Sequence, residues 1–213
     1  MQPETTKLET FLTGFYLSKQ AEGCSPNTPI EYRKDFAHFT CWCASQQQSD
    51  PTRITTRDLK AFLAWLRTQP NGHGKSLSPK TVYNAWVALR SFYRWLAEET
   101  GSQNPMLPVP APKVQPGVIE PLSREQIAAI LKACETTTAA NTKGRASFAM
   151  RRDQAHRDKA IVLVLLDTGL RASELCAVSL GEVDLGTGRI LVRCGKGGKG
   201  RMVYAGKAAR RVL

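Results

Sequence analysis

The residues best suited to chemistry in this 213-residue chain begin with an arginine at a break between two apolar segments. Arg171 follows Gly169, which interrupts the apolar run 161–166, and Glu174 lies three residues further on. Side chains three apart are neighbours on a helix, so the pattern predicts that the carboxylate holds the guanidinium. A guanidinium held in this way can offer a rigid fork of N–H donors to a phosphate or a carboxylate. The alternative is an Arg–Glu pair on a solvated surface, with no function.

A glycine-rich segment with two lysines, Lys196 and Lys199, is the second candidate. Short strand patterns at 190–192 and 202–204 flank it, so the sequence predicts a β-hairpin with these lysines at its tip. Glycines at 195, 197 and 200 match G-x-G-x-x-G, but a dinucleotide site needs a helix after the glycines, and here a strand follows. No nucleotide ligand is therefore predicted. The tip either enters a groove of a partner or forms a solvated turn.

The charge of the chain indicates a polyanionic partner. The formal net charge is +12, and the second half is the more basic, with 18 Lys/Arg against 9 Asp/Glu after residue 105. Nucleic acid is the first choice of partner and an acidic membrane the second. No lipidation signal or basic amphipathic helix favours a membrane, and the longest apolar run, 160–166, is too short to span one. The six cysteines form no C-x-x-C pair and the three histidines are not spaced with them, so we predict a cytoplasmic protein without a metal or other cofactor.

The first 100 residues show the apolar spacing of four helices joined by short loops. The spacing predicts helices over 5–21 and 28–46, a third from Thr56 and a fourth from Ser78-Pro79. Aromatic residues keep the helical period, which favours core positions over platforms for base stacking. The basic residues predicted on the exposed faces either contact phosphate or are simply solvated; they are Arg33, Lys34, Lys75, Lys80, Arg90 and Arg94.

The rest of the chain is predicted to be a proline-rich spacer over 101–121 and a second domain over 122–213. Ser123 and Gln126 form a capping box that begins the second domain. Residues 135–156 are polar, include Arg151 and Arg152, and are expected to form a long loop over a partner. A buried helix then leads from Arg157 to the arginine break, followed by an acidic turn at 182–184, the lysine hairpin and a further helix from residue 208. The predicted fold class is mainly α with a small β-hairpin.

Several of these segments resemble the tyrosine recombinases, the phage integrases and Xer-type recombinases. Residues 28–42, 78–81 (SPKT) and 91–96 (SFYRWL) are similar to the core-binding domain, a SAM-like helical bundle that clamps one face of a DNA duplex. Residues 168–175 (TGLRASEL) are very close to the first-arginine motif of the family, and residues 195–201 (GKGGKGR) to its lysine hairpin. Asn104-Pro105 with the proline spacer resembles the junction between the two domains.

The resemblance implies roles for the candidate residues. Arg171 would be the first catalytic arginine, Glu174 a supporting buried carboxylate, and Lys196 the general acid, with Lys199 the competing candidate. Arg201 and Lys199 would contact the DNA backbone, as would Arg151, Arg152 and the basic residues of the first domain. The implied partners are double-stranded DNA and other recombinase protomers, which form a tetramer on DNA in the family, and the implied processes are DNA recombination and integration of a mobile element.

The sequence departs from the family pattern in its missing motifs. The family also uses His-x-x-Arg and a nucleophilic tyrosine, but neither motif occurs here: the residues three after the histidines are Cys41, Ser76 and Lys159. From this we expect the catalytic domain to be incomplete and the chain to be inactive by itself. It would then be the DNA-binding portion of a site-specific recombinase that acts through a 3′-phosphotyrosine. The alternative is a truncated, non-catalytic protein that occupies recombination sites.

Overall fold

The computed structural model describes residues 6–115, 117–137, 149–193, 195 and 199–213. The chain divides into two compact units, Met1–Gly117 and Val118–Leu213. Over the described ranges these units contain eight α-helices and one three-stranded antiparallel sheet, which confirms the predicted mainly α fold class. None of the helices in these ranges has the length and apolar character needed to cross a bilayer.

The described residues of the first unit form four α-helices. Their bounds are α1 Lys7–Ala21, α2 Asn27–Ser45, α3 Thr56–Thr68 and α4 Pro79–Thr100, with a 3-10 turn at Pro51–Arg53. Local side chains fix where they begin: Thr55 and Asp58 form a capping box before α3, and the Ser78 hydroxyl accepts the backbone N–H of Thr81 before α4. Gly101, with a φ of 67°, ends α4. All four predicted helices are therefore confirmed.

Aromatic side chains fill the core of the first unit, as their helical spacing predicts. Phe15 is fully buried on α1, and its ring lies edge-on to those of Tyr32, Phe36, Phe92 and Trp95 at centroid distances of 5.0–6.0 Å. Tilted and edge-on arrangements are the favourable ones for aromatic pairs. The core therefore joins α1, α2 and α4 through one cluster of rings.

Part of the predicted proline spacer belongs to this core. Met106 and Val109 are 2% and 4% exposed, and the indole N–H of Trp86 donates to the Val109 carbonyl at 3.1 Å. The Thr56 hydroxyl also donates to the Pro105 carbonyl, at 2.8 Å. Residues 105–109 of the predicted spacer therefore pack against the first unit, because two apolar side chains and a buried indole N–H find their partners here. The next described residues, 110–115, belong to the same unit.

The second unit begins at Val118 and combines short helices with a small sheet. Its elements are α5 Arg124–Ala133, α6 Ala155–Thr168, α7 Ala172–Ala177, β1 Val183–Asp184, β2 Arg189–Val192, β3 Arg201–Tyr204 and α8 Lys207–Arg210. The strands lie in the order β1-β2-β3, and Val192 is paired with Arg201 next to the loop that joins β2 to β3. The Ser123–Gln126 capping box is confirmed at the start of α5. The predicted acidic turn is a 3-10 turn, Leu180–Glu182, followed by β1.

The core of the second unit is small. Its buried apolar residues among the described ones are Val164, Leu170, Ile190, Val192, Ala205 and Ala209. The helix α6, which is predicted to be buried, is only partly buried. Val164 lies in the core, whereas Ile161 and Leu166 are 40% and 44% exposed. The sheet and α8 therefore cover one side of α6 and leave part of its apolar surface open.

Candidate active site

Arg171 lies in a short turn between α6 and α7 that is held at several points. Gly169 ends α6 with a φ of 62°, a left-handed conformation that favours glycine. Leu170 is buried in the core, and its backbone N–H donates to the Thr168 hydroxyl at 3.3 Å. On the other side of the turn, Asp167 accepts the backbone N–H of Gly206 at 2.9 Å. The turn thus fixes the backbone that carries Arg171.

Glu174 is the centre of the polar contacts in the second unit. Its side chain is 2% exposed, and its two carboxylate oxygens accept the backbone N–H of Arg171 at 2.8 Å and the Arg171 Nη1 at 2.7 Å. Arg201 donates from Nη1 and Nη2 to the same two oxygens, at 2.7 Å each. The Arg201 hydrogen bonds, and after them the Arg171 backbone N–H, hold the pKa of Glu174 well below its usual range. The predicted Arg171–Glu174 pair is confirmed.

Arg171 nevertheless keeps about half of its side chain exposed to solvent. The side chain is 55% exposed, and Nη1 is the single nitrogen of this guanidinium that is hydrogen-bonded within the described ranges. Nη2 and Nε therefore point no donors at protein acceptors there. An arginine held on one side and open on the other is suited to bind phosphate oxygens, because its planar fork of N–H donors matches their geometry.

The structure describes the lysine hairpin on both sides of its tip, at Gly195 and from Lys199 onward. Lys196 lies outside the described residues, so its predicted role is a matter of sequence alone. Gly195 donates its backbone N–H to the Lys199 carbonyl at 3.1 Å, and the Lys199 side chain is exposed. Arg201, which is predicted to contact the DNA backbone, donates from its two terminal nitrogens to the buried carboxylate of Glu174.

A second arginine of the hairpin, which sequence reasoning did not select, is also paired. Arg193 follows β2 and donates from Nε to Glu182, whose carboxylate also accepts the backbone N–H of Ser179 at 2.8 Å. Arg193 and Arg201 therefore bind carboxylates on the segment that follows Arg171. In the sequence, Arg193 and Arg201 lie just outside the two predicted strands. This position could have marked both as candidates, but it does not specify which carboxylates they bind.

In the first unit, the structure brings two of the predicted basic residues together. Arg90 and Arg94, one turn apart on α4, line a cavity of about 370 Å³ that also contacts α2. Tyr32 lies in the same cavity, and its hydroxyl is 3.2 Å from the Ser91 hydroxyl. The cavity thus combines two arginines and several neutral hydrogen-bonding groups with apolar side chains, and the arginines are suited to contact phosphate.

The remaining predicted basic residues have separate surroundings. Arg33 lies over the ring of Tyr16 and Lys80 over that of Tyr83, while Lys34 pairs with Glu31 at 2.7 Å. Lys75 and Arg151 are exposed, and Arg152 pairs with Asp158 at 2.8 Å. The described part of the chain contains no group of three or more His, Cys, Asp or Glu side chains placed to hold a metal ion.

Both units match models of known protein families. Residues 11–102 match the model of the phage integrase N-terminal SAM-like domain, and residues 120–213 match that of the phage integrase family. Together with the recombinase motifs, these matches show that the chain belongs to the phage integrase family of tyrosine recombinases.

Individual proteins extend this comparison. The chain is 29% identical over 193 residues to tyrosine recombinase XerD of Listeria monocytogenes, covering 90% of this chain and 58% of the relative. It is 29% identical over 203 residues to tyrosine recombinase XerC of Xanthomonas campestris, covering 95% and 55%. A solved lambda integrase tetramer bound to a Holliday junction shares the fold, with a TM-score of 0.68, 16% identity and coverage of 97% and 55%. The chain therefore spans little more than half the length of these proteins.

Proposed function

We propose that this chain is the DNA-engaging portion of a site-specific recombinase, in which the first unit binds the duplex and Arg171 binds the phosphate to be cleaved. The observation that carries the proposal is the state of Arg171: one nitrogen is held by a buried carboxylate and the side chain is 55% exposed. The whole protein would break and rejoin DNA through a 3′-phosphotyrosine, and the tyrosine and the His-x-x-Arg pair would be supplied by residues other than these 213.

The chemistry assigned to the second unit follows from the charge that develops during cleavage. When a tyrosine oxygen forms a bond to phosphorus and the bond to the 5′ oxygen breaks, negative charge grows on the nonbridging oxygens, and Arg171 stabilises it. The leaving 5′ oxygen needs a proton, for which we propose the ammonium group of Lys196. Lys199, which is exposed at the other arm of the hairpin, is the competing donor.

The first unit is proposed to bind DNA through α2 and α4. Support comes from the cavity lined by Arg90 and Arg94, and from Arg33, Lys34 and Lys80, which are exposed on the same two helices. Contacts of this kind to phosphate fix the position of a protein on DNA but do not read its sequence. By analogy with the lambda integrase tetramer on a Holliday junction, we propose that further protomers join this one on the DNA. We also propose that the protein acts in the cytoplasm, where bacterial DNA is found.

The first experiment measures binding of the full chain to a fluorescent duplex of about 30 base pairs as a function of salt. We expect affinity to fall steeply with salt, because each neutralised phosphate releases a counterion. Arg90→Gln and Arg94→Gln should each reduce the slope of log affinity against log salt by about 1. Arg67→Gln, at an exposed position on α3, is the matched control and should change the slope less. Equal effects of all three variants would contradict the proposed DNA-binding face.

The second experiment separates a phosphate clamp from the alternative, a non-catalytic occupant of recombination sites. A duplex selected from a random library for binding to the chain is rebuilt with single neutral methylphosphonate linkages. One linkage should weaken binding of the natural chain, and binding of Arg171→Ala should not respond to that linkage. A non-catalytic occupant that binds DNA without Arg171 would show no linkage whose effect depends on Arg171. A nicked suicide substrate should yield no covalent adduct, and an adduct on any of the five tyrosines would overturn the assignment of an external nucleophile.

A further inference from the structure

The pair formed by Arg201 and Glu174 is a two-point contact between distant parts of the second unit. Arg201 is the first residue of β3 and Glu174 lies within α7, 27 residues earlier in the chain. Two nitrogens of the guanidinium reach two oxygens of the carboxylate, both at 2.7 Å. Bidentate charged pairs of this kind are both strong and specific in orientation. The contact therefore fixes the rotation of the Glu174 carboxylate as well as its position.

The same carboxylate also serves Arg171, so one negative charge is shared by two guanidinium groups. With the two hydrogen bonds from Arg201 and the two from Arg171, Glu174 accepts four, which is about the capacity of a carboxylate. Glu174 is almost completely buried, whereas the Arg171 side chain is 55% exposed. The group as a whole carries a net positive charge, and its exposed member is Arg171.

We propose that Arg201 is a positioning residue that holds Glu174 and prevents this carboxylate from neutralising Arg171. Without Arg201, both oxygens of Glu174 would be available to Arg171, which would bind them with two nitrogens and turn away from solvent. Arg201 thus keeps Arg171 available to a phosphate, a role that rests on the proposed function of Arg171 as a phosphate clamp.

The backbone of the lysine hairpin is part of this arrangement. A Cβ atom on Gly195 would lie 3.3 Å from the Arg201 Nη1, 3.5 Å from the Glu174 Oε1 and 2.5 Å from the Lys199 carbonyl oxygen. A side chain at Gly195 would therefore clash with the Lys199 carbonyl oxygen, and the first arm of the hairpin also lies in contact with the Arg201–Glu174 pair. Through Arg201 on the second arm and Gly195 on the first, the position of the hairpin depends on the carboxylate that holds Arg171.

The experiment compares Arg201→Gln, Arg201→Lys and Arg193→Gln in the full chain. Arg193→Gln is the matched control, because it removes a hairpin arginine whose carboxylate partner, Glu182, makes no hydrogen bond to Arg171 in the described residues. Side-chain N–H signals of Arg171 are recorded by NMR and assigned through their absence in Arg171→Lys. Inorganic phosphate is then titrated as the probe.

In Arg201→Gln we expect the Arg171 signals to show slowed guanidinium rotation, as in a bidentate pair, and the phosphate-dependent shift to require at least about tenfold more phosphate. Arg201→Lys, which keeps the charge but not the fork, should restore part of the phosphate response and part of the natural rotation. Arg193→Gln should leave both signatures unchanged. A merely structural role would change the melting temperature in the three variants without singling out Arg171.

Failure of the two proposals would look different. If phosphate moves no Arg171 signal in the natural chain, the phosphate clamp is wrong, and the rotation measurement still tests the positioning role. If phosphate binds the natural chain and Arg201→Gln equally well, or if Arg201→Gln and Arg193→Gln change Arg171 alike, the positioning role is overturned. If Arg201→Gln does not fold, Arg201→Lys decides: Arg171 signals and phosphate affinity identical to those of the natural chain would refute the need for a two-point contact.

Discussion

Replacing Met106 by alanine tests whether the proline-rich segment belongs to the first unit. Met106 is 2% exposed within a core built mainly from the four helices, so the substitution removes a buried side chain and leaves a cavity. Substitutions of this kind lower the free energy of unfolding by about 2–5 kcal/mol. For a unit of this size, with a urea m value of about 2 kcal/mol/M, the midpoint of unfolding should fall by about 1–2.5 M. A free spacer would give no shift.

The sequence provides both the assay and the control for this substitution. All four tryptophans lie in the first unit, at positions 42, 65, 86 and 95, so intrinsic fluorescence follows its unfolding selectively. Leu107→Ala is the matched control, because the neighbouring side chain is 80% exposed and its loss should change the free energy by less than about 0.5 kcal/mol. Equal midpoints for Met106→Ala and Leu107→Ala would refute the packing of this segment against the helices.

Two further predictions concern pH and backbone strain. Hydrogen bonds from Thr52 and the ion pair with Lys7 lower the pKa of Asp50 to about 2, below its value in an unfolded chain. This contribution to the stability of the first unit is present above about pH 4 and is lost as the pH falls towards 2, so Asp50→Asn should flatten the fluorescence-monitored stability over that range. Gly188→Ala should destabilise the second unit, because φ is 79° and a Cβ would lie against the Ala205 carbonyl. Hydrogen exchange of the strand amides would measure this, and unchanged protection would contradict it.

The features that sequence predicts well here are those set by neighbouring residues. The start of α3 follows from Thr55 and Asp58, and the start of α4 from the Ser78 hydroxyl and the proline after it. The Arg171–Glu174 contact is also local, since residues three apart meet on a helix. Apolar periodicity then predicts the buried rings of the first unit without any knowledge of how the helices pack.

The features that sequence misses depend on residues far apart in the chain. Met106 and Val109 follow prolines and have no helical period, so nothing in the pattern indicates that they pack against α4, and the indole of Trp86 contacts a residue 23 positions away. Three acidic residues lie between Arg171 and Arg201 in the chain, and the sequence does not indicate that Glu174 is the one buried beside Arg201. Long-range pairing of this kind is decided by the packed chain.

The two units differ in what holds them together, and the difference matters for the candidate active site. The first unit is stabilised by a large core of buried aromatic and aliphatic side chains, which salt and moderate changes of pH affect little. The apolar core of the second unit is much smaller and includes two alanines, so polar contacts such as those of Glu174 and Asp167 carry more of the geometry around Arg171. The guanidinium of Arg171 is therefore positioned chiefly by its hydrogen bond to the buried carboxylate of Glu174. Its response to phosphate should depend on Glu174 remaining ionised, which is consistent with the lowered pKa of that carboxyl.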